Sequence, residues 1–228
     1  EFKTPISTIS LACDALGQEP VRTDADRQEK YRDMIQAECG RMKGQVLKIL
    51  EAAALEKGDL ELRFERLDAH EAVREAAAAF GMAVGGRGGS ITTRLEAAEP
   101  WIEADPVHFE NVLANLLDNA VKYVRRPPEI VVATEDAGGR LRIAVTDNGV
   151  GLGPEDQKRV FERYYRVPTG NVHDVKGFGI GLSYVKLIVK AHGGRAGVRS
   201  ELGKGSTFFI EFPLSRGRAG RKGRRGEA

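Results

Sequence analysis

Cysteine is nearly absent from this 228-residue sequence, which holds only Cys13 and Cys39. The two stand far apart in helical-looking sequence, which excludes a disulfide framework or a zinc site and predicts a reducing compartment with both thiols buried. No apolar run approaches the ~20 residues that cross a bilayer, and no secretory signal peptide opens the chain. Charge of one sign is also missing overall, the formal net being only +2. It is unevenly spread: Arg216, Arg218, Arg221, Lys222, Arg224 and Arg225 against Glu227 give the tail +5 and leave −3 over residues 1–215. A glycine-rich basic tail, residues 215–228, has nothing to bury beyond alanine, so disorder is expected, with at most weak attraction to anionic lipid or nucleic acid. Nothing in the body suggests specific nucleic-acid recognition. The length fits two modest domains.

What is present begins with helical periodicity. Phe2, Ile6, Ile9, Cys13 and Leu16 recur at alternating spacings of four and three, the seam of a helix packed on other helices. Gly17 and Pro20 break the pattern. Thr23 or Asp24 then caps a second helix to about Glu56, with Tyr31, Ile35, Met42, Val46 and Ile49 on one stripe. Residues 1–57 therefore read as an antiparallel helical hairpin, and two helices bury too little alone, which predicts a dimeric four-helix bundle. Beyond Gly58 and Asp59 the pattern turns to mixed strands and helices through residue 214. Strands are expected at 60–64, 91–95, 101–103, 130–134, 141–146, 195–200 and 206–212, and helices at 68–80, 106–123, 155–161 and 182–191. The whole is an α+β chain: a helical hairpin followed by an α/β sandwich over residues 58–214.

Three clusters carry chemistry. Asn111, Asn115 and Asn119 fall on one face of the helix opened by Asp105 and Pro106. Asparagine is a poor helix former. Simple solvent exposure is one reading of that stripe, but glutamate, lysine or glutamine would serve it better; the other is a set of hard oxygen ligands of the kind Mg²⁺ accepts. Asp147, Asn148, Gly149, Val150 and Gly151 follow a strand and are first of all a turn signal. A buried carboxylate there can also accept from an adenine amino group, with the glycines letting backbone approach the ring. Finally Gly177, Gly179 and Gly181 directly precede a helix, whose exposed N–H groups face an anion. The spacing is neither a dinucleotide fingerprint nor a Walker A loop. Gly203 and Gly205 read as a hairpin turn.

In this order the asparagine box, Asp-x-Gly-x-Gly, Phe161-x-x-Tyr164-Tyr165, GFGIGL and Gly203-x-Gly-Ser-Thr-Phe resemble the catalytic domain of sensor histidine kinases of the GHKL ATPase type. The opening Glu1-Phe2-Lys3-Thr4-Pro5 also resembles the segment directly after the phosphoacceptor histidine in that family. The resemblance covers nearly the whole chain. It implies an ATP-dependent protein-histidine kinase with ATP and Mg²⁺ as cofactors, Asn115 and Asn119 at the metal, and Lys122 and Tyr123 bordering the nucleotide. Asp147 would read adenine, and Gly149, Gly151 and Thr207 would also belong to the nucleotide-binding set. Phe161, Tyr164 and Tyr165 would anchor a mobile lid bearing Arg166 and Lys176, while Gly177, Gly179, Ile180, Gly181 and Leu182 hold phosphate. Glu1 would be the base beside the acceptor histidine and Thr4 the residue used in dephosphorylating a response regulator. Implied partners are that regulator's receiver domain and a second copy, dimerising through residues 1–57.

One departure from the pattern is that no histidine precedes Glu1, which leads us to expect a truncated chain from the cytoplasmic portion of a membrane-anchored sensor. His70, His108, His173 and His192 lie in the second domain, in contexts unlike the acceptor, and each is expected to be an ordinary surface or partly buried histidine. Two rivals remain: a GHKL-fold ATPase, or a non-catalytic nucleotide-binding dimerisation module. In the ATPases a glutamate four residues before the metal asparagine activates water. Asn115 holds that position here, and a carboxamide is no base.

Overall fold

The computed structural model describes residues 3–57, 61–124, 126–167 and 179–215, the side chains of 45 and 47–57 apart. The chain divides into two compact units, residues 1–61 with 176–180, and residues 62–175 with 181–228.

The first unit is the expected hairpin of α1 (Lys3–Leu16) and α2 (Ala25–Lys57), joined through a short 3₁₀ turn at Val21–Thr23. Asp24 rather than Thr23 caps α2, its Oδ1 accepting from the Arg27 N–H at 3.1 Å. Pro5 and Ala12 are buried, and Ile9, Leu16, Tyr31, Ile35 and Met42 are half-buried. Ile6, Leu11, Met34 and Val46 stay 39–70% exposed. Both cysteines are exposed too, contrary to expectation. Cys13 follows buried Ala12 and Cys39 follows buried Glu38, and one residue turns a helix by about 100° away from the packed face.

In the second unit β2 (Ser90–Leu95), β4 (Glu129–Asp136), β5 (Arg140–Asp147), β7 (Gly205–Pro213) and β6 (Arg195–Glu201) form one sheet in that order. Only β2 and β4 run parallel. The helices α3 (Ala69–Gly85), α4 (Pro106–Lys122) and α6 (Gly181–Ala191) lie against it. Along β5 burial alternates strictly, with Leu141, Ile143, Val145 and Asp147 inward. They share the core with Phe109, Leu113 and Leu116 of α4, Ile188 of α6 and Phe212 of β7, all essentially unexposed. Each such side chain contributes about 1.5–3 kcal/mol when buried. The same alternation places a carboxylate, Asp147, at the end of an otherwise aliphatic row.

The strand expected at 60–64 is not formed over 61–64; β1 is Glu65–Asp68, paired with β3 (Trp101–Ala104) in the register Glu65↔Ala104. Asp105, the next residue that could extend this pairing, leaves the strand to cap α4, accepting from the His108 N–H at 3.1 Å. Its other oxygen takes the Arg63 N–H at 2.9 Å, so a side chain replaces the strand partner.

His108 and His192, expected at the surface or partly buried, are both buried. The His108 Nδ1 lies 2.8 Å from the Tyr184 hydroxyl, and the His192 Nε2 accepts from the Asp105 N–H at 3.0 Å. With Nδ1 then donating to the Ile188 carbonyl at 2.8 Å, His192 is held neutral, and burial lowers its pKa. Ser215, assigned by its sequence to the tail, is tied in by its N–H to the Trp101 carbonyl at 2.8 Å. The tail from 216 lies outside the described residues.

Candidate functional site

The site is built at the end of β5. Asp147 sits opposite Ser206 of β7, and its Oδ1 accepts from the Gly149 N–H at 2.8 Å and the Ser206 N–H at 3.3 Å. Its Oδ2 makes no hydrogen bond among the described residues and remains an acceptor. Burial pushes the carboxyl pKa up, against the two N–H donors that favour the ionised form.

Glycine is required where backbones close on this carboxylate. Gly151 has φ +68°, and a Cβ there would stand 2.0 Å from the Glu201 carbonyl oxygen. At Gly149 a Cβ would meet both Asp147 Oδ1 and the Tyr123 carbonyl at 2.7 Å. The loop is further pinned by the Val150 N–H on the Tyr123 carbonyl at 3.1 Å, and by the Gly203 N–H on the Val150 carbonyl at 2.8 Å. Tyr123 therefore borders this loop from the C-cap of α4, 41% exposed.

One turn and two turns earlier on α4 stand Asn119, half-buried, and Asn115, only 5% exposed. The Asn115 Nδ2 donates to the Asn111 carbonyl at 2.7 Å, which turns Oδ1 toward the start of α6. A Cβ on Gly181 would lie 3.0 Å from that oxygen. A buried carboxamide oxygen facing a helix N-terminus, with a glycine between them, is a cradle with hard-donor chemistry suited to Mg²⁺ and phosphate oxygens. Leu182, the next residue of α6, is half-buried. Lys122 is engaged by Asp118 one turn back.

The remaining predicted residues divide. Phe161 packs edge-on to Phe208, ring centroids 6.3 Å apart. The Tyr165 hydroxyl donates to Asp156 Oδ1 at 2.7 Å, a bond that raises the tyrosine pKa, and the Arg159 guanidinium lies 4.2 Å over its ring. Tyr164 is 66% exposed with φ +61°. Arg166 is exposed, Gly179 has φ +66°, and Ile180 is buried. Thr4 is exposed on α1, in the other unit. Glu1, Lys176 and Gly177 lie outside the described residues, as does most of the expected lid.

Thr207 faces away from Asp147. Strand alternation turns it to the opposite face of β7, where its Oγ1 meets Thr146 Oγ1 at 2.9 Å. The residue beside the Asp147 carboxylate is Ser206, which the sequence did not single out, buried and bonded through its N–H. Gly205 was missed as well: with φ +119°, it lies where a Cβ would stand 2.0 Å from the Asp147 carbonyl oxygen, whereas the Gly203 site is open. Pairing Gly203-x-Gly-Ser against the strand that ends at Asp147 is the signal that identifies both residues.

Residues 104–216 match the family described as histidine kinase-, DNA gyrase B-, and HSP90-like ATPase, which defines the class, an ATP-binding domain of that type. Over 216 residues the chain is 43% identical to the sensor protein RprX of Bacteroides fragilis, covering 94% of this chain and 42% of that protein. It matches full-length ShkA, solved in complex with AMPPNP, with a TM-score of 0.72 and 25% identity over 93% of this chain and 43% of that one. The fold is shared with the histidine kinase ThkA in complex with the response regulator TrrA, at TM-score 0.69 and 22% identity, covering 93% of this chain and 58% of that one. The chain belongs to the sensor histidine kinases. It spans about half the length of the curated relatives it matches.

Proposed function

We propose that this chain works as an ATP-dependent protein-histidine kinase that phosphorylates a histidine directly before Glu1 and passes the phosphate to a response-regulator aspartate. The observation that carries the reading is the buried Asp147, which keeps an acceptor oxygen beside a glycine-lined loop, with the neutral carboxamide of Asn115 buried against the start of α6. Phosphoryl transfer needs charge neutralisation and in-line placement of the nucleophile more than covalent help. Asn115 and Asn119 would hold Mg²⁺, which neutralises charge developing on the phosphate oxygens. The first-turn N–H groups of α6 face the phosphates, and Asp147 fixes the base. Imidazole nitrogen bonds to the γ-phosphorus as the bond to the ADP oxygen breaks, and Glu1 takes the ring proton. With no carboxylate at position 115 to activate water, transfer to histidine outcompetes hydrolysis.

The test compares this chain with one extended by a histidine before Glu1, each given γ-labelled ATP with Mg²⁺. Acid-labile, base-stable label is expected only on the extended chain, and is expected to vanish when the metal is chelated. Equal label on both chains sinks the proposal.

Exposed Ile6, Leu11, Met34 and Val46 support a homodimer through residues 1–57, since a hairpin leaving such side chains in water gains by covering them. Light scattering at high concentration is expected to give twice the chain mass; a monomer throughout refutes it. Among the described residues no helix is long and apolar enough to cross a membrane, and we place the chain on the cytoplasmic side of a membrane-anchored sensor. Fractionation of cells making the full-length protein, followed by protease protection, tests that placement; a periplasmic location overturns it.

A further inference from the structure

The far end of the base loop is held by side chains. Leu152 follows Gly151, and its N–H donates to the Ser200 Oγ at 2.7 Å. Its carbonyl accepts from the Gln157 Nε2 at 3.0 Å, and the same nitrogen donates to the Ser200 carbonyl at 2.8 Å. Ser200 Oγ in turn lies 2.8 Å from the Gly205 carbonyl and 2.9 Å from Ser206 Oγ, next to the N–H that holds Asp147. One carboxamide on α5 (Pro154–Arg159) thus ties the loop to β6 beside the strand partner of Asp147.

We propose that Gln157 is a positioning residue for the base pocket, acting through Leu152 and Ser200 to set where Gly149 and Gly151 lie against Asp147. This rests on the reading of the site as a nucleotide pocket. The residue type follows from the geometry: two carbonyls converge on one nitrogen, and a primary amide offers two hydrogens without a charge. Glutamate at this position would oppose two acceptors with a third and a fourth. Methionine would fill the same space and donate nothing. Asp156, the preceding residue, takes the Tyr165 hydroxyl, so the same short helix also fixes the aromatic segment.

The experiment measures ATP, GTP and Mg-tripolyphosphate binding by calorimetry on the full chain and on Gln157→Met, Gln157→Glu and Ser200→Ala, with thermal melts of each. Gln157→Met is expected to raise the ATP Kd at least about tenfold, the scale of two lost hydrogen bonds, and Gln157→Glu more. Preference for ATP over GTP is expected to fall by a similar factor, with tripolyphosphate binding unchanged, because the defect lies at the base. Ser200→Ala should move the same ratio in the same direction. An unchanged ATP Kd overturns the proposal, and so does loss of ATP and tripolyphosphate affinity in step, the mark of a merely structural role. If the Gln157 variants do not fold, Ser200→Ala decides, and an unchanged base preference there overturns it. Failure of the unaltered chain to bind ATP refutes the nucleotide reading instead.

Discussion

Replacing Asp147 by asparagine is expected to weaken ATP binding by roughly 10- to 100-fold, the loss of a charge-assisted hydrogen bond of about 1.5–3 kcal/mol, without unfolding the domain. The internal bonds from Gly149 and Ser206 both fall on Oδ1, and asparagine keeps that oxygen. What changes is the other atom, which becomes an N–H₂ donor facing the amino group of adenine, donor against donor. A 6-oxo purine presents an acceptor there, so inosine triphosphate should lose far less affinity than ATP. Stability should move the other way. Burial raises the Asp147 pKa in the folded state, so the ionised carboxylate is penalised at neutral pH, and wild-type stability rises as pH falls through that raised value. The asparagine variant lacks the penalty and should be at least as stable at neutral pH, an advantage that shrinks on acidification. Calorimetry with both nucleotides and urea titrations at two pH values check this. Equal ATP affinity in the two proteins would remove Asp147 from the base site.

Asp147 stood out in the sequence because a carboxylate and two glycines follow directly on an expected strand, in a run that falls in the order of a known family's boxes. Helix α4 was legible from local signals too, since Asp105 and Pro106 mark the helix start and the aliphatic rows define its buried face. Asn115 was singled out there without its burial, because the stripe alone does not reveal that α6 begins against it. The misses share a physical cause, which is pairing between segments distant in the chain. Thr207 and Ser206 are neighbours with similar hydroxyls, and only the register Asp147↔Ser206 says which one turns inward. The strand shifted from 60–64 to Glu65–Asp68 because its partner β3 ends where Asp105 is diverted to cap a helix. His108 and His192 have no local pattern that marks them as buried. They are buried because α4, α6 and β7 converge on them, with the His192 ring 5.8 Å from that of Phe212. Gln157 is invisible by the same logic, being an unremarkable polar residue of a short helix until Leu152 and Ser200 are brought to it.

The glycine pair at 203 and 205 offers the clearest separation between a turn and a site. Both have positive φ, +78° and +119°, so a side chain is strained at either. Gly203 faces open space, and Gly203→Ala is expected to destabilise by about 1–2 kcal/mol, the left-handed penalty alone. At Gly205 the added carbon would stand 2.0 Å from the Asp147 carbonyl oxygen and 3.0 Å from Asn148 Cα, both backbone atoms. Nothing flexible can give way. Relief requires β7 to part from β5 at the pair Asp147↔Ser206, which breaks the N–H that Ser206 lends to the carboxylate. Gly205→Ala is therefore expected to cost at least about 3 kcal/mol, strain and lost pairing together, and to weaken ATP binding as Asp147 moves. Urea unfolding of the two alanine variants, with ATP titration of whichever folds, reads both effects. Were Gly205→Ala to match Gly203→Ala in stability and bind ATP normally, the close approach of β7 to the Asp147 backbone would play no part in forming the pocket.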